Sequence, residues 1–169
     1  MGLCGSGLVD LVAACLDAGI IDKSGLMNPE YFEEGLLIGT DADGNKMRLT
    51  QKDIRELQLA KSAIRAGIEI LVKEFDVTYK NIGKVYLAGG FGNNINADSA
   101  VRIGLLPGKY RNHIVLAGNS SLGGAVDSLL NPDREEKVKK ILKKVHYIEL
   151  SSNPDFNDKF AEYMLFNDE

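Results

Sequence analysis

Glycine is concentrated in four short clusters, and this uneven distribution constrains the fold more than any other feature of the sequence. The clusters lie at residues 2–7, 35–39, 89–92 and 118–124. Three of them stand where a predicted loop or strand passes into a predicted helix, and they follow no fixed repeat period of the solenoid kind. Because glycine adopts backbone conformations that other residues avoid, the clusters predict short elements joined by close turns.

Between the clusters, the spacing of apolar residues predicts helices and short strands. The predicted helices cover residues 8–18, 51–75, 97–103, 122–130, 133–144 and 154–165. The predicted strands cover residues 36–40, 46–50, 84–88, 113–117 and 145–150. The first two strands flank an Asp-Gly-Asn turn, which predicts a hairpin. The last three alternate with helices, which predicts an α/β fold with a short, mostly parallel sheet flanked by helices.

The composition excludes several classes of protein. The 169 residues suffice for one domain, and 44% hydrophobic with 26% charged residues is typical of a globular chain. No apolar run is long enough for a transmembrane helix, and no signal peptide is recognisable, so we expect no membrane association. The net charge of −4 argues against nucleic acid as a partner, and two cysteines fit a cytoplasmic, reducing location. No catalytic residue set and no metal-ligand cluster is recognisable.

The longest predicted helix follows a capping box, Thr50-Gln51-Lys52-Asp53. Apolar residues surround most of it and leave a narrow polar stripe that includes Gln58, Lys61 and Arg65. Such a helix is predicted to be mostly buried, with the stripe facing solvent or a cleft. The three side chains offer an amide and two cations, which suit an adenine edge, a ribose hydroxyl or a phosphate. A solvated strip without a ligand is the commoner alternative.

Gly89, Gly90, Phe91 and Gly92 follow the predicted strand at 84–88. Ligands of open α/β sheets bind beyond the carboxyl ends of the strands. Glycines at such a place let the backbone approach a flat ligand or a phosphate closely. A tight strand-to-helix turn without a ligand explains the same residues equally well. The motif is neither the dinucleotide fingerprint nor a P-loop.

The first glycine cluster opens directly onto a helix. Free N–H groups at a helix start attract phosphates, which makes Gly5, Ser6 and Gly7 candidates for a phosphate contact. A simple N-cap is the favoured alternative, with Ser6 as the capping residue. Cys4 lacks a partner at metal-ligand spacing, and Cys15 lies on the apolar side of its helix and is expected in the core.

Four segments of the sequence are distinctive: Gly-Leu-Cys-Gly-Ser-Gly-Leu-Val-Asp at 2–10, Asp-Ile-Arg-Glu-Leu-Gln-Leu-Ala-Lys-Ser-Ala-Ile-Arg-Ala-Gly at 53–67, Val-Tyr-Leu-Ala-Gly-Gly-Phe-Gly at 85–92, and Gly-Asn-Ser-Ser-Leu-Gly-Gly-Ala at 118–125. Together they resemble the C-terminal part of the reductive activators of corrinoid proteins. The resemblance covers most of the chain. It implies that residues 1–169 are a single domain, the C-terminal lobe fragment of a larger iron–sulfur ATPase.

The implied fold is an actin-like, ribonuclease H-like ATPase half-domain of the superfamily of acetate kinases, sugar kinases, heat-shock chaperones and actin (ASKHA). Members of the family join an N-terminal [2Fe–2S] domain, which is not in this sequence, to a domain that binds ATP or ADP with Mg²⁺. ATP hydrolysis drives reduction of a Co(II) corrinoid to Co(I). The implied partners are ATP and a corrinoid protein or corrinoid-dependent methyltransferase, and a homodimer stays open. The chain alone is expected to be inactive, because the acidic phosphate loops of the superfamily lie upstream.

The resemblance also implies roles for particular residues. Gly89, Gly90, Phe91 and Gly92 match the adenosine motif of the superfamily, with Phe91 where a small polar residue is usual. The stripe of Gln58, Lys61 and Arg65 matches the helix that covers the adenine. Gly5, Ser6 and Gly7 match the glycine turn that approaches the phosphates. Residues 118–125 match the small-residue helix at the interdomain hinge.

Two alternatives stay open at this stage. One is an activator of another low-potential enzyme, such as a 2-hydroxyacyl-CoA dehydratase, in which a [4Fe–4S] cluster bridges two subunits and Cys4 would be the candidate ligand. The other is a non-enzymatic interaction module, in which the glycine turns are structural. A nucleotide-binding measurement distinguishes a corrinoid activator from an interaction module. An iron–sulfur absorbance spectrum tests the activator of the dehydratase type.

Overall fold

The computed structural model describes residues 2–131 and 133–166, apart from the side chain of Asn93. Its helices are α1 (Gly5–Asp17), α2 (Pro29–Phe32), α3 (Gln51–Glu74), α4 (Gly89–Asn94), α5 (Ala97–Arg102), α6 (Ser120–Leu130), α7 (Arg134–Leu142) and α8 (Phe156–Glu162). Its strands are β1 (Leu36–Thr40), β2 (Lys46–Leu49), β3 (Val85–Ala88) and β4 (Ile114–Gly118). Short 3-10 turns cover Tyr79–Asn81, Gly108–His113 and Leu150–Ser152. These small sheets flanked by helices confirm the predicted α/β class.

Strands β1 and β2 form the predicted hairpin. They are antiparallel, with Leu36 opposite Leu49. At the turn, Oδ1 of Asp41 accepts the backbone N–H groups of Asp43 at 2.9 Å and of Asn45 at 2.8 Å. Because one side chain satisfies two backbone donors within the turn, the local sequence is enough to specify it.

Strands β3 and β4 form a parallel pair, with Val85 opposite Ile114. The chain crosses from one to the other through α4 and α5. One face of the pair packs on the core through Leu87 and Ile114, whereas Tyr86 on the other face is exposed. The pair therefore positions the turn after β3 at the surface of the molecule.

The strand predicted at 145–150 is wrong. Residues 145–149 have no regular secondary structure and pair with no strand among the described residues, and a 3-10 turn follows at Leu150–Ser152. The Glu149 carboxylate accepts the N–H of Ser151 at 3.3 Å and its hydroxyl at 2.7 Å. This local side-chain bonding offers the backbone an alternative to a ladder, which the apolar alternation alone did not reveal.

The last predicted helix is also shorter than expected. Helix α8 covers Phe156–Glu162 instead of residues 154–165. Asn153 Oδ1 accepts the N–H of Asp155 at 2.9 Å, so Pro154 lies in a capped turn before the helix and not at its first position. Because α8 ends at Glu162, residues 163–166 are not helical, and they lie across α3.

The core lies between α1, α3, α5 and the C-terminal segment. Its fully buried side chains include Val9, Val12, Ile54, Ile103 and Phe166. The capping box at the start of α3 is confirmed, because Asp53 Oδ2 accepts the N–H of Thr50 at 2.8 Å while Thr50 Oγ1 accepts the N–H of Asp53 at 3.3 Å. Within residues 2–131 and 133–166, no helix combines the length and apolar character needed to cross a bilayer.

Candidate functional site

The glycine turn at residues 89–92 lies at the carboxyl end of β3, where the sequence places it. Gly89 has a φ of +89°, which an L side chain rarely adopts, and α4 begins at this residue. A Cβ added at Gly89 or Gly90 would meet no described atom within 4 Å, so open space adjoins both residues. Gly92 differs, because its Cβ would lie 3.0 Å from the carbonyl carbon of Leu87. Gly92 thus allows close packing, while Gly89 and Gly90 leave room for an approaching group.

The fold brings the first glycine cluster against this turn. A Cβ on Gly5 would lie 3.1 Å from Cε2 of Phe91, so the aromatic ring rests on the start of α1. At Gly7, a Cβ would lie 3.0 Å from Cδ1 of Leu3. Two clusters that are more than eighty residues apart in the sequence therefore form one continuous surface.

The predicted N-cap of α1 is wrong by two residues. Cys4 is the N-cap, and its Sγ accepts the N–H of Gly7 at 3.4 Å. Ser6 lies inside the first turn and is largely buried, with its Oγ 3.3 Å from the sulfur. The hydrogen bond with Ser6, followed by that of Gly7, lowers the pKa of the exposed Cys4 thiol. Cys15 is buried, as expected, and burial raises the pKa of its thiol.

An apolar cavity of about 180 Å³ adjoins the glycine turn. It lies between α3, β3 and α4, and Ile64, Tyr86 and Phe91 contribute to its walls. About half of the Ile64 and Phe91 side chains is exposed, so these walls face solvent as well as the cavity. Ile64 and Tyr86 were not among the site residues predicted from the sequence. The position of Tyr86 on the strand face opposite Leu87 was a usable signal, because alternate strand residues share a face.

The polar stripe of α3 is buried, and the prediction that it faces solvent or a cleft is wrong. The exposed fractions of Gln58, Lys61 and Arg65 are 0%, 1% and 3%. Gln58 Nε2 donates to the carbonyls of Met164 (2.6 Å) and Ser24 (3.0 Å). The stripe faces the C-terminal segment, whose carbonyls replace the water that its donors would otherwise bind.

The two cations of the stripe lie over aromatic rings. Lys61 Nζ donates to the carbonyl of Leu165 and is 5.0 Å from the ring centre of Phe166. The Arg65 guanidinium is 4.7 Å from the ring centre of Tyr163 and pairs with Glu69 at 3.0 Å. Burial, with a smaller effect of Arg65, lowers the pKa of Lys61 to about 8. Gln58, Lys61 and Arg65 therefore contact other groups of the protein and do not line an open cleft.

The fourth glycine cluster leads into α6. Asn119 Oδ1 caps this helix by accepting the N–H of Leu122 at 3.0 Å. A Cβ on Gly123 or Gly124 would meet no described atom within 4 Å, and the apolar side chains of α6, including Leu129, are exposed. The helix therefore presents a face of glycine and apolar residues to solvent. Its role at an interdomain hinge stays a prediction.

Two known proteins of similar sequence are both named for their action on corrinoid proteins. The chain is 30% identical over 187 residues to the corrinoid activation enzyme RamQ of Eubacterium limosum, covering 99% of this chain and 31% of that protein. It is 30% identical over 160 residues to the [Co(II) methylated amine-specific corrinoid protein] reductase of Methanosarcina barkeri, covering 94% and 28%. The chain thus spans about a third of the length of these relatives.

A solved structure agrees with these relatives. The chain superimposes on a reductive activator for corrinoid, iron-sulfur protein with a TM-score of 0.87 and 37% identity, over 96% of this chain and 28% of that one. A family model described as the C-terminal domain of RACo, the ASKHA domain, matches residues 1–169. The resemblance noted in the four sequence segments is confirmed, and the chain belongs to the family of RACo C-terminal ASKHA domains.

Proposed function

We propose that this chain is the nucleotide-binding C-terminal lobe of an ATP-dependent reductive activator, which reduces a Co(II) corrinoid to Co(I) in a corrinoid protein or methyltransferase. The observation that carries the nucleotide part is the open space beside Gly89 and Gly90, next to the apolar cavity at Phe91. The corrinoid part is supported by the names of the relatives, each of which is a corrinoid activator or reductase.

In this proposal, the purine base of the nucleotide occupies the apolar cavity. Tyr86 and Phe91 offer aromatic surface, and Ile64 offers an aliphatic one, which suits a flat, weakly polar ring. The glycine backbone at 89–90 would lie against the sugar or the phosphates, since a side chain there would occupy the same space. Helix α1 begins at Gly5 beneath the Phe91 ring, and we assign a phosphate contact to its first turn, where the N–H of Gly7 would exchange its bond with Cys4 Sγ for one to the phosphate. Ser6 and Gly7 belong to this same turn.

The remaining cofactors belong, in our proposal, to other parts of the full protein. A [2Fe–2S] cluster takes four cysteine ligands, whereas this chain has one exposed and one buried cysteine, so its residues do not fit such a cluster. Mg²⁺ and the acidic groups that position the attacking water are placed upstream. We therefore expect the chain to bind nucleotide without hydrolysing it.

Isotope-labelled chain titrated with MgADP to millimolar concentration tests the nucleotide site. We expect amide chemical shift changes concentrated at residues 5–7 and 89–92. Gly90→Leu is expected to weaken binding at least tenfold, because the new side chain enters the open space without straining the backbone. Gly123→Leu is the matched control, since it also adds a side chain to a helical glycine in open space. Absence of shifts at residues 5–7 and 89–92, or equal affinity in the two variants, contradicts the proposal.

The same titration tests the stripe. Its assignment to nucleotide binding predicts weaker binding in Lys61→Ala and Arg65→Ala. Unchanged affinity in both variants would remove Gln58, Lys61 and Arg65 from the proposed site and leave the glycine turns and Phe91.

A further inference from the structure

Residues 163–166, which we call the strap, lie across the polar stripe of α3, here Gln58, Lys61, Ser62 and Arg65. The strap follows the end of α8 and is not helical. Its last residue, Phe166, is fully buried and donates its N–H to the carbonyl of Lys23 at 2.8 Å. The strap thus joins three regions: α3, the loop at 22–26 and the end of α8.

Each stripe residue contacts a particular strap residue. Gln58 donates to the carbonyl of Met164 at 2.6 Å, and Lys61 donates to that of Leu165. The Ser62 hydroxyl is 3.2 Å from Sδ of Met164. Arg65 lies over the ring of Tyr163, and Lys61 also lies over the ring of Phe166. This residue-by-residue match indicates recognition of the strap by the stripe.

The burial of the stripe makes this match energetically necessary. Gln58, Lys61, Ser62 and Arg65 are each at least 97% buried. A buried donor without an acceptor is strongly unfavourable, and an ammonium group more so than an amide. The strap supplies a carbonyl to Gln58 and to Lys61, so its closed position and the burial of the stripe depend on each other.

We infer that the strap is a releasable internal cover, which occupies the donors of the stripe and withholds them from any other ligand while it is closed. Among the described residues, the backbone N–H groups of Tyr163, Met164 and Phe166 bond to the carbonyls of Lys159, Ala161 and Lys23, so opening of the strap leaves the backbone hydrogen bonds of α1 and α3 in place. Opening would expose an amide and two cations on one helix face, the set of donors that binds phosphate and carboxylate groups. The inference concerns contacts within this chain and does not depend on the proposed nucleotide site.

Digestion with a carboxypeptidase, followed by mass spectrometry, tests the match. The enzyme removes residues in order from the C-terminus, and a synthetic peptide of residues 156–169 gives the rate for an uncovered strap. We expect removal of Phe166 from the intact chain to be at least tenfold slower than from the peptide. Lys61→Met should speed this step at least fivefold, whereas Lys52→Met, at an exposed lysine on the same helix, should not. Equal rates in chain and peptide, or in the two variants, overturn the inference.

Native-state hydrogen exchange of the unsubstituted chain tests release without relying on a variant. We expect the Phe166 amide to exchange through a local opening, with a rate that low concentrations of urea leave unchanged. The Val12 amide in α1 should respond to urea as the global unfolding does. If both amides show the same urea dependence, the strap is a fixed part of the core and the inference is wrong.

Discussion

Lys61 is an ammonium group held almost completely away from water on a helix that also exposes apolar side chains. Burial lowers the pKa of Lys61 from 10.5 to about 8. Between these two values the unfolded chain binds more protons than the folded chain, so the free energy of unfolding rises with pH. The hydrogen bond to Leu165 survives deprotonation, because a neutral amine still donates.

We therefore predict a specific pH dependence for Lys61. Urea unfolding of the unsubstituted chain and of Lys61→Met should be compared at pH 7.5 and pH 9.5. The difference in unfolding free energy should shift in favour of the unsubstituted chain by on the order of 1 kcal/mol at the higher pH. A difference that stays constant with pH would show that the buried amine does not titrate in this interval.

Gly35 illustrates why the sequence places glycine at junctions. Its φ is +76°, and a Cβ there would lie 2.6 Å from the carbonyl oxygen of Leu49. We predict that Gly35→Ala lowers the free energy of unfolding by roughly 2 kcal/mol or more, from backbone strain and the clash together. Gly83→Ala is the control, since its Cβ would meet no described atom within 4 Å. Thermal unfolding of both variants measures the effect, and equal melting temperatures would contradict it.

At the scale of single residues, the sequence predicted the glycine turns well and the polar stripe poorly. Gly89 marks a tight turn because its φ of +89° lies in a region that favours glycine. Gln58 and Lys61 looked solvent-facing because polar residues usually are. The carbonyls that accept hydrogen bonds from these two side chains belong to Met164 and Leu165, more than a hundred residues away. A local sequence pattern cannot predict partners at such a distance.

Among the elements, α3 depends on its first turn. Asp53 accepts hydrogen bonds from both the N–H and the hydroxyl of Thr50, at 2.8 and 2.6 Å. We predict that Asp53→Ala lowers the free energy of unfolding by about 1–2 kcal/mol, the usual range for a lost cap. Glu56→Ala removes an exposed carboxylate from the same helix and should have little effect. Chemical denaturation distinguishes the two, and a similar loss in both variants would remove the special role of the capping box.

Elements with a local signal were predicted close to their observed bounds. The capping box fixed the start of α3, and the turn at Asp43 and Gly44 fixed the hairpin. The strand predicted at 145–150 lacked such a signal and depended on a partner strand elsewhere in the chain. Its apolar alternation was compatible with a ladder but could not supply one.

At the scale of the whole molecule, α6 exposes an apolar face to solvent. Leu122, Val126, Leu129 and Leu130 follow one another at helical spacing, and Leu129 is 85% exposed. Exposed apolar patches promote association with other surfaces. We predict that the chain self-associates at high concentration and that Leu129→Glu reduces this. Leu26→Glu, at a 45% exposed leucine elsewhere, is the control. Sedimentation velocity measures the effect, and equal association of both variants would exclude α6 as its cause.

The molecule as a whole was recognised from motifs more than from its elements. Of the four segments that carried the resemblance, those at 53–67 and 85–92 were the more specific. The sequence did not indicate how the segments meet in space. In the fold, Phe91 lies against Gly5 of the first segment, and Ile64 lines the same cavity as Phe91.

The strap also has a consequence for the order of events during biosynthesis. Lys61 and Leu165 are 104 residues apart, so α3 leaves the ribosome long before the segment that covers it. Until then the stripe stays in contact with water, and the growing chain carries a helix that is polar on the side destined for the interior. The final packing of α3 therefore waits for translation to pass residue 166, even where α1 and the hairpin have already folded.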